Sequence, residues 1–305
     1  MSQKDSIVVT GAFGYLGKYI AERLLKAGRK VVTLTGHPDR PNPFGDRVTA
    51  VPFNFDDPAK LARSLEGTRT LINTYWVRYD HGGTSYDRAV ANTRTLIGAA
   101  AAAGVQRFVH VSITRPTAGS PFPYFRGKAM LEGAVAGSGI SYAIVRPTVL
   151  FGGEDILINN IAWLLRRLPV FGIFGKGDYP IQPVHVGDAA GLVIEAALGT
   201  GPMVVDAVGP ETFAFGDLVR LIRMAIGSRA LLVNVSPAAA LMASRLLGLL
   251  LGDIIITRDE IGGLMAGLLV SGAPPTCPTP FSSWVREQAA ALGRRYASEL
   301  RRHFR

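Results

Sequence analysis

Tyr124 and Lys128, in the stretch YFRGK, are spaced i and i+4. On a helix that spacing puts a phenol and an ammonium on one face. A phenol, with a reference pKa of roughly 10, is a poor base at neutral pH, but a nearby ammonium favours its ionised form. Twelve residues upstream of Tyr124, the apolar run VHVSIT carries Ser112 and Thr114, either of which offers a hydroxyl to the same substrate oxygen. Such a group passes a proton to or from oxygen while a hydride moves between carbon and a nicotinamide ring, and Lys128 doubles as a ligand of the nicotinamide ribose.

A second cluster supplies the place for that cofactor. TGAFGYLG, Thr10 to Gly17, lies between the apolar run Ile7–Val9 and an amphipathic segment, Lys18–Ala27. Strand, glycine turn and helix form the phosphate site of a dinucleotide-binding domain. Gly11 permits the tight turn, Gly14 lets the pyrophosphate reach the backbone, and Gly17 lets helix and strand pack closely. The helix N-terminus offers free N–H groups to the phosphates.

The elements that hold these residues follow from the apolar pattern. Buried parallel strands are expected at Ile7–Thr10, Val31–Leu34, Val48–Phe53, Thr70–Thr74, Phe108–Ser112 and Tyr142–Arg146. Helices are expected at Gly14–Ala27, Pro58–Leu65, Tyr86–Ala103 and Pro121–Ala136, the last capped by Ser120 with Pro121 and Pro123 in its first turn. Gly28, Gly67 and Gly104 each close a helix before the next strand. The alternation predicts an α/β fold, a doubly wound parallel Rossmann sheet over residues 1–150. Residues 151–305 are expected to form a smaller C-terminal α/β lobe with segments returning to the Rossmann core. Helices are expected there at Ile156–Arg167, Val186–Leu198 and Phe215–Ile226, and strands at Met203–Val208 and Ala230–Val235. Pro169–Pro183 reads as a Pro/Gly-rich connection, and Ser282–Phe304 as one polar, Arg-rich helix.

Ala238–Leu251 is strongly apolar, with Ser236 as cap and Pro237 at the first helical position. It is too short to span a bilayer and is expected to be buried. The sharper alternative is a surface helix that meets a membrane complex or another subunit, with the C-terminal helix as a second contact.

Composition bounds the rest. The 305 residues are 48% hydrophobic and 18% charged, ample for a sizeable core. The single Cys277 excludes a disulfide framework and a cysteine metal site. The five histidines (His37, His81, His110, His185, His303) show no ligand spacing, so no metal is expected, and His110 reads as a packed core residue. The net charge is +10, but the basic residues are dispersed outside Arg294, Arg295, Arg301, Arg302 and Arg305, and no nucleic-acid motif is present. A polar opening, Met1–Ser6, and sparing cysteine use point to a cytoplasmic setting, peripheral to the inner membrane if the apolar helix docks there.

In TGAFGYLG, RFVHVS, YFRGK and RPTVLFG, in that order, the chain resembles the short-chain dehydrogenase/reductase superfamily in its extended or atypical branch. The stretch from Arg146 to Ala190 is similar to the nucleotide-binding accessory subunit of respiratory complex I and to sugar-nucleotide epimerase-like proteins. The resemblance implies that Gly11, Phe13, Gly14, Tyr15, Leu16 and Gly17 form the pyrophosphate loop. Asp56 would face the adenine, Asn73 and Thr74 would line the cofactor, Asn92 would brace the sheet edge, and Pro147, Thr148 and Val149 would border the nicotinamide. The triad would map to Thr114 or Ser112 with Tyr124 and Lys128. The loop RPTAGSPFP is shorter than in sugar-nucleotide enzymes. An acid ending the second strand would hold a ribose 2′-hydroxyl and repel a 2′-phosphate. Thr35 stands there, followed by His37 and Arg40, so NADP(H) is the expected cofactor, with NAD(H) possible. The implied function is an oxidoreductase acting on an unknown small carbonyl or alcohol. The alternatives are a non-catalytic NADP(H)-binding subunit, assembly factor or redox sensor, and a sugar-nucleotide epimerase or dehydratase.

Overall fold

The computed structural model describes residues 6–303; Met1–Asp5, Phe304 and Arg305 lie outside the described residues. The chain divides into two units, the first running to Pro147 and including Ala189–Asp206, the second formed by Thr148–Asp188 and the chain from Ala207 onward.

The first unit alternates strand and helix as β-branched apolar runs alternate with helix formers. In chain order it holds β1 (Ser6–Thr10), α1 (Tyr15–Lys26), β2 (Val31–Thr35), β3 (Val48–Pro52), α2 (Pro58–Ser64), β4 (Thr68–Asn73), α3 (Tyr86–Ala102), β5 (Arg107–Val111), α4 (Pro123–Ala136) and β6 (Ser141–Pro147). The strands pair in parallel, with Val8 of β1 opposite Val32 of β2 and Leu71 of β4. Gly28, Gly67 and Gly104 take φ of 70°, 74° and 71°, a left-handed turn that ends each helix. Val8, Leu34, Leu61, Leu71, Leu96 and Phe108 build the core on one side of the sheet.

The second unit opens with β7 (Val149–Phe151), α5 (Leu157–Arg167), β8 (Val170–Phe174), β9 (Pro180–Ile181) and β10 (Pro183–His185). The chain then passes through α6 (Val186–Leu198) and β11 (Met203–Ala207), and β11 completes a seven-stranded sheet in the order β11-β6-β5-β4-β1-β2-β3. It continues with β12 (Phe213–Ala214), α7 (Phe215–Ala225), β13 (Leu231–Val235), α8 (Pro237–Leu251), α9 (Arg258–Met265), α10 (Phe281–Glu287) and α11 (Glu299–His303). Phe151, Ile158, Ile161, Phe215, Phe281 and Trp284 are central to its core.

Four expectations need correction. Phe122, not Ser120, caps α4; the Ser120 hydroxyl instead accepts the Phe122 N–H at 3.2 Å, and Pro121 lies outside the helix. Pro169–Pro183 is not merely a connection: β8 pairs in parallel with β13, from Val170 opposite Leu231 to Phe174 opposite Val235. Ser282–Phe304 is broken. Gly293 turns at φ 70°, and the Asp253 carboxylate accepts the N–H groups of Glu299 and Leu300 to start a separate α11. Finally, α8 has Ser236 and Pro237 at its start as expected, but it is not buried: Leu249 and Leu250 are 81% and 84% exposed.

Candidate functional site

The phosphate end is built by backbone contacts that only glycine permits. Gly11 has φ 66°, and its carbonyl accepts the Gly14 N–H at 2.8 Å. A Cβ on Gly17 would sit 2.2 Å from the Gly11 oxygen, so a side chain there would force α1 away from β1. The Thr33 hydroxyl accepts the Ala12 N–H at 3.0 Å and donates to the Val9 carbonyl, pinning the loop to the sheet. The N-cap of α1 is Gly14, which makes no side-chain cap, and no acid stands in the first turn. The first N–H groups of α1 therefore have no side-chain competitor for an anion. Phe13 packs on Phe44, Tyr15 on Tyr19, and Leu16 is buried. These residues fit a dinucleotide.

Beside this loop lies a cleft of about 520 Å³, lined by Thr35, Gly36, Pro52, Phe53, Asn54, Phe55, Asp56, Arg88 and Asn92. Thr35 and Asp56 thus line the same cleft. His37 and Arg40 are not among its walls; they follow on the turn after β2, where the Thr35 hydroxyl accepts the His37 N–H at 3.1 Å. Phe53 and Phe55 stack at 4.6 Å, with the Tyr75 ring within 5.2 Å of both. Asn92 donates to the Tyr75 hydroxyl at 2.9 Å and so braces the chain just after β4. Burial raises the Tyr75 pKa. Sequence reasoning missed Phe53, Phe55, Tyr75 and Arg88; the aromatic alternation in VPFNFDD was the available signal.

The C-terminal ends of β4 and β5 carry a buried polar network. Asn73 Oδ1 accepts from the Thr10 hydroxyl at 2.9 Å, and Asn73 Nδ2 meets His110 Nδ1 at 3.1 Å. Asn73 is thus engaged within the sheet rather than presented to a cofactor. The Thr74 N–H donates to the same Thr10 hydroxyl, and Thr74 Oγ1 lies beside Gly11. His110 is buried as expected; burial, then the Lys128 charge, push its pKa well below the ordinary histidine value.

The α4 face holds the chemical groups. Lys128 Nζ donates to the Val111 carbonyl at 2.8 Å and lies 4.5 Å from the centroid of the Trp76 ring. It is 2% exposed, and burial brings its pKa down to about 7, with Glu132 opposing that shift. Tyr124 packs edge-on to Trp76 at 5.6 Å and to Tyr86 at 6.0 Å. Gly127 makes room for the indole: a Cβ there would come within 2.8 Å of it. Trp76 therefore touches both members of the pair, a role the sequence did not announce.

Ser112 and Thr114 are buried, and neither Oγ atom has a hydrogen-bond partner among the described residues. The Thr114 N–H donates to Pro147 O at 3.0 Å. Thr148 and Val149 belong to the second unit; Val149 pairs with Pro183, and the Thr148 N–H donates to Ala207 O.

An NAD(P)H-binding family model matches residues 11–159. The chain is 28% identical over 234 residues to the mitochondrial NADH dehydrogenase [ubiquinone] 1 alpha subcomplex subunit 9 of Arabidopsis thaliana, covering 72% of this chain and 58% of that protein, so it spans less than two thirds of that relative's length. It is 27% identical over 271 residues to the 40 kDa subunit of Neurospora crassa NADH-ubiquinone oxidoreductase, covering 83% and 68%. An NADPH-dependent quinone oxidoreductase from Escherichia coli, solved with NADPH, has the same fold, with a TM-score of 0.75, 23% identity, and 94% and 99% of the two chains covered. A nucleoside-diphosphate-sugar epimerase from Staphylococcus aureus also superposes at 0.75, with 18% identity and 92% and 99% covered. Those solved neighbours place the seven-stranded sheet among Rossmann folds. Residues 11–159 thus match an NAD(P)H-binding family model, the chain is similar to these NADH dehydrogenase subunits, and its fold is that of the reductase and epimerase neighbours.

Proposed function

We propose that this chain binds NADP(H) and exchanges hydride with a small carbonyl or alcohol, with Tyr124 as the acid/base. The observation that carries this reading is the pair of buried hydroxyls at the end of β5. Ser112 and Thr114 hold Oγ atoms without a partner among the described residues, in the chain segment that leads to the α4 face bearing Tyr124 and Lys128. Unpaired buried polar atoms are few in native proteins, and a catalytic role is one reason they persist. Gly11, Gly14 and Gly17 would hold the pyrophosphate through backbone N–H groups. The cleft around Thr35 and Asp56 would take the adenosine, and the absence of an acid at Thr35 favours a 2′-phosphate. When bound, the nicotinamide supplies or accepts the hydride. Tyr124 gives its phenolic proton to the substrate oxygen during reduction, the Lys128 ammonium stabilises the phenolate that results, and Ser112 or Thr114 holds the same oxygen.

The test is binding and turnover measured together. Wild type should bind NADPH more tightly than NADH and consume it with at least one member of a carbonyl and quinone panel. Tyr124→Phe should keep NADPH affinity and lose turnover by about 100-fold or more. A Tyr124→Phe variant with full turnover would remove the assigned role.

A second reading rests on Trp76. Its ring covers Lys128 and abuts Tyr124, which suits a protein that holds the cofactor without using it. The likeness to complex I accessory subunits supports the same reading. Tight NADPH binding with no turnover across the panel, together with co-purification with a membrane complex, would favour it.

A further inference from the structure

We infer that α8 is an in-plane docking surface for an anionic lipid bilayer. The inference stands on the second unit alone and does not depend on the proposed chemistry.

The helix runs from Pro237 to Leu251. At 3.6 residues per turn, Ala238, Met242, Leu246, Leu249 and Leu250 fall on one side, and all five are exposed. The opposite side carries Ala240 and Leu241, which pack against the core of the second unit. Helices of soluble proteins reverse this order, turning charge to water and leucine inward. The adjoining ribbon continues the apolar character. α8 packs on β8, and the β8–β13 pair exposes Val170, Leu231 and Val233.

Charge identifies the occupant. From Leu218 to Gly252 the chain has four arginines, Arg220, Arg223, Arg229 and Arg245, and no acid. Arg245 is exposed and lies at the rim of the leucine side, three residues from Met242 and four from Leu249. The bordering acids are already engaged. Asp217 pairs with Arg220, and Asp253 accepts from the Tyr296 hydroxyl and the start of α11. A leucine surface with Arg245 at its rim and no carboxylate on the helix matches the acyl boundary of a bilayer whose headgroups are negative. It does not match a second copy: an antiparallel pairing of α8 about its centre would bring the two Arg245 side chains within a turn of each other, like charge against like. It does not match a span, because among the described residues no helix is long and apolar enough to cross a membrane.

The experiment is vesicle co-sedimentation of the full chain, read against light scattering. The protein should pellet with phosphatidylglycerol-containing phosphatidylcholine vesicles, bind pure phosphatidylcholine at least about tenfold more weakly, and be released by salt. Leu249→Glu with Leu250→Glu should abolish pelleting while the melting temperature stays unchanged, since both side chains already face solvent. Arg245→Gln should weaken pelleting by a few-fold, roughly the worth of one basic residue near such a surface. Equal binding to both vesicle types, no pelleting at all, pelleting that survives the double substitution, or a solution dimer that the same substitution splits would each overturn the assignment.

Discussion

Lys128 lies beneath Trp76, its ammonium nitrogen 4.5 Å from the indole centroid and 2.8 Å from the Val111 carbonyl oxygen. The arrangement gives the cation an aromatic face and one acceptor but withholds water. Desolvation dominates, and the pKa falls from 10.5 to about 7.

Stability should report that shift. Lysine is protonated in the unfolded chain up to its ordinary value, whereas the folded protein sheds the proton above about 7. Between those values the unfolded state binds more protons, so wild-type stability rises with pH across the window, and the full penalty of burying the charge applies below it. Lys128→Met, which fills the space without the charge, should therefore be more stable than wild type by up to a few kcal/mol at about pH 6, and the advantage should shrink toward pH ~10. Urea unfolding of both proteins across that range checks it; a difference independent of pH would remove the buried-charge account.

Turnover, where found, should follow the same proton. During reduction the phenolate left on Tyr124 needs the ammonium, so the rate should fall as pH rises through about 7. Trp76→Ala admits water to Lys128 and should move that limb upward by about one unit or more. The pH profile of kcat/KM for the two proteins decides. A limb unmoved by Trp76→Ala would assign the titration to another group.

The phosphate loop makes a sharper claim, because backbone rather than side chain blocks the change. Gly17→Ala would place a methyl 2.2 Å from the Gly11 oxygen and 2.8 Å from its carbonyl carbon. The cost should be roughly 2–4 kcal/mol, with NADPH affinity lost as α1 withdraws. Gly28→Ala serves as the contrast. Its Cβ would meet nothing within 4 Å, so the penalty is limited to the strain of φ 70°. Thermal melts of both variants with and without NADPH give the comparison.

The central sheet was legible because parallel strands are continuous apolar runs and the glycines that end each helix interrupt them visibly, as at Gly28, Gly67 and Gly104. Tyr124 and Lys128 were legible because helical spacing is local. Trp76 was not. Its position depends on the bare backbone of Gly127, a contact between a loop and a helix far apart in sequence. The orientation of α8 was hidden for another reason: a helix apolar on nearly every side has no periodicity to say which side is inward. The break before α11 was equally hidden, since it rests on Asp253, a carboxylate remote in sequence.

Cofactor preference can be tested at Thr35. Its hydroxyl accepts the His37 N–H, and an aspartate there can keep that acceptor while adding a charge to the cleft wall. Thr35→Asp should weaken NADPH by roughly 10- to 100-fold, since a 2′-phosphate would face a carboxylate, and should leave NADH unchanged or improved. Calorimetric titration of both cofactors settles the sign. Equal losses for NADPH and NADH would mean that Thr35 does not face the ribose.

Arg107 governs how the first unit recovers its late segment. The side chain is buried; Nε donates to Ala196 O at 2.7 Å, and Nη1 donates to Ser141 Oγ at 2.7 Å and to Gly201 O at 3.1 Å. One guanidinium thus ties β5 and β6 to the chain around α6 and β11, which arrives some ninety residues later. Among the described residues its hydrogen-bond partners are two carbonyls and a hydroxyl, and burial lowers its pKa. Arg107→Met keeps the aliphatic stem but removes the donor to the Ala196 and Gly201 carbonyls and to the Ser141 hydroxyl, which keeps its own bond to Thr200 O. The cost should be about 2–4 kcal/mol. Hydrogen exchange locates the effect: protection should fall first in residues 189–206, while β1 and β4 hold theirs until global unfolding. Uniform loss across the whole sheet would show that Arg107 supports the core generally rather than the docking of this segment.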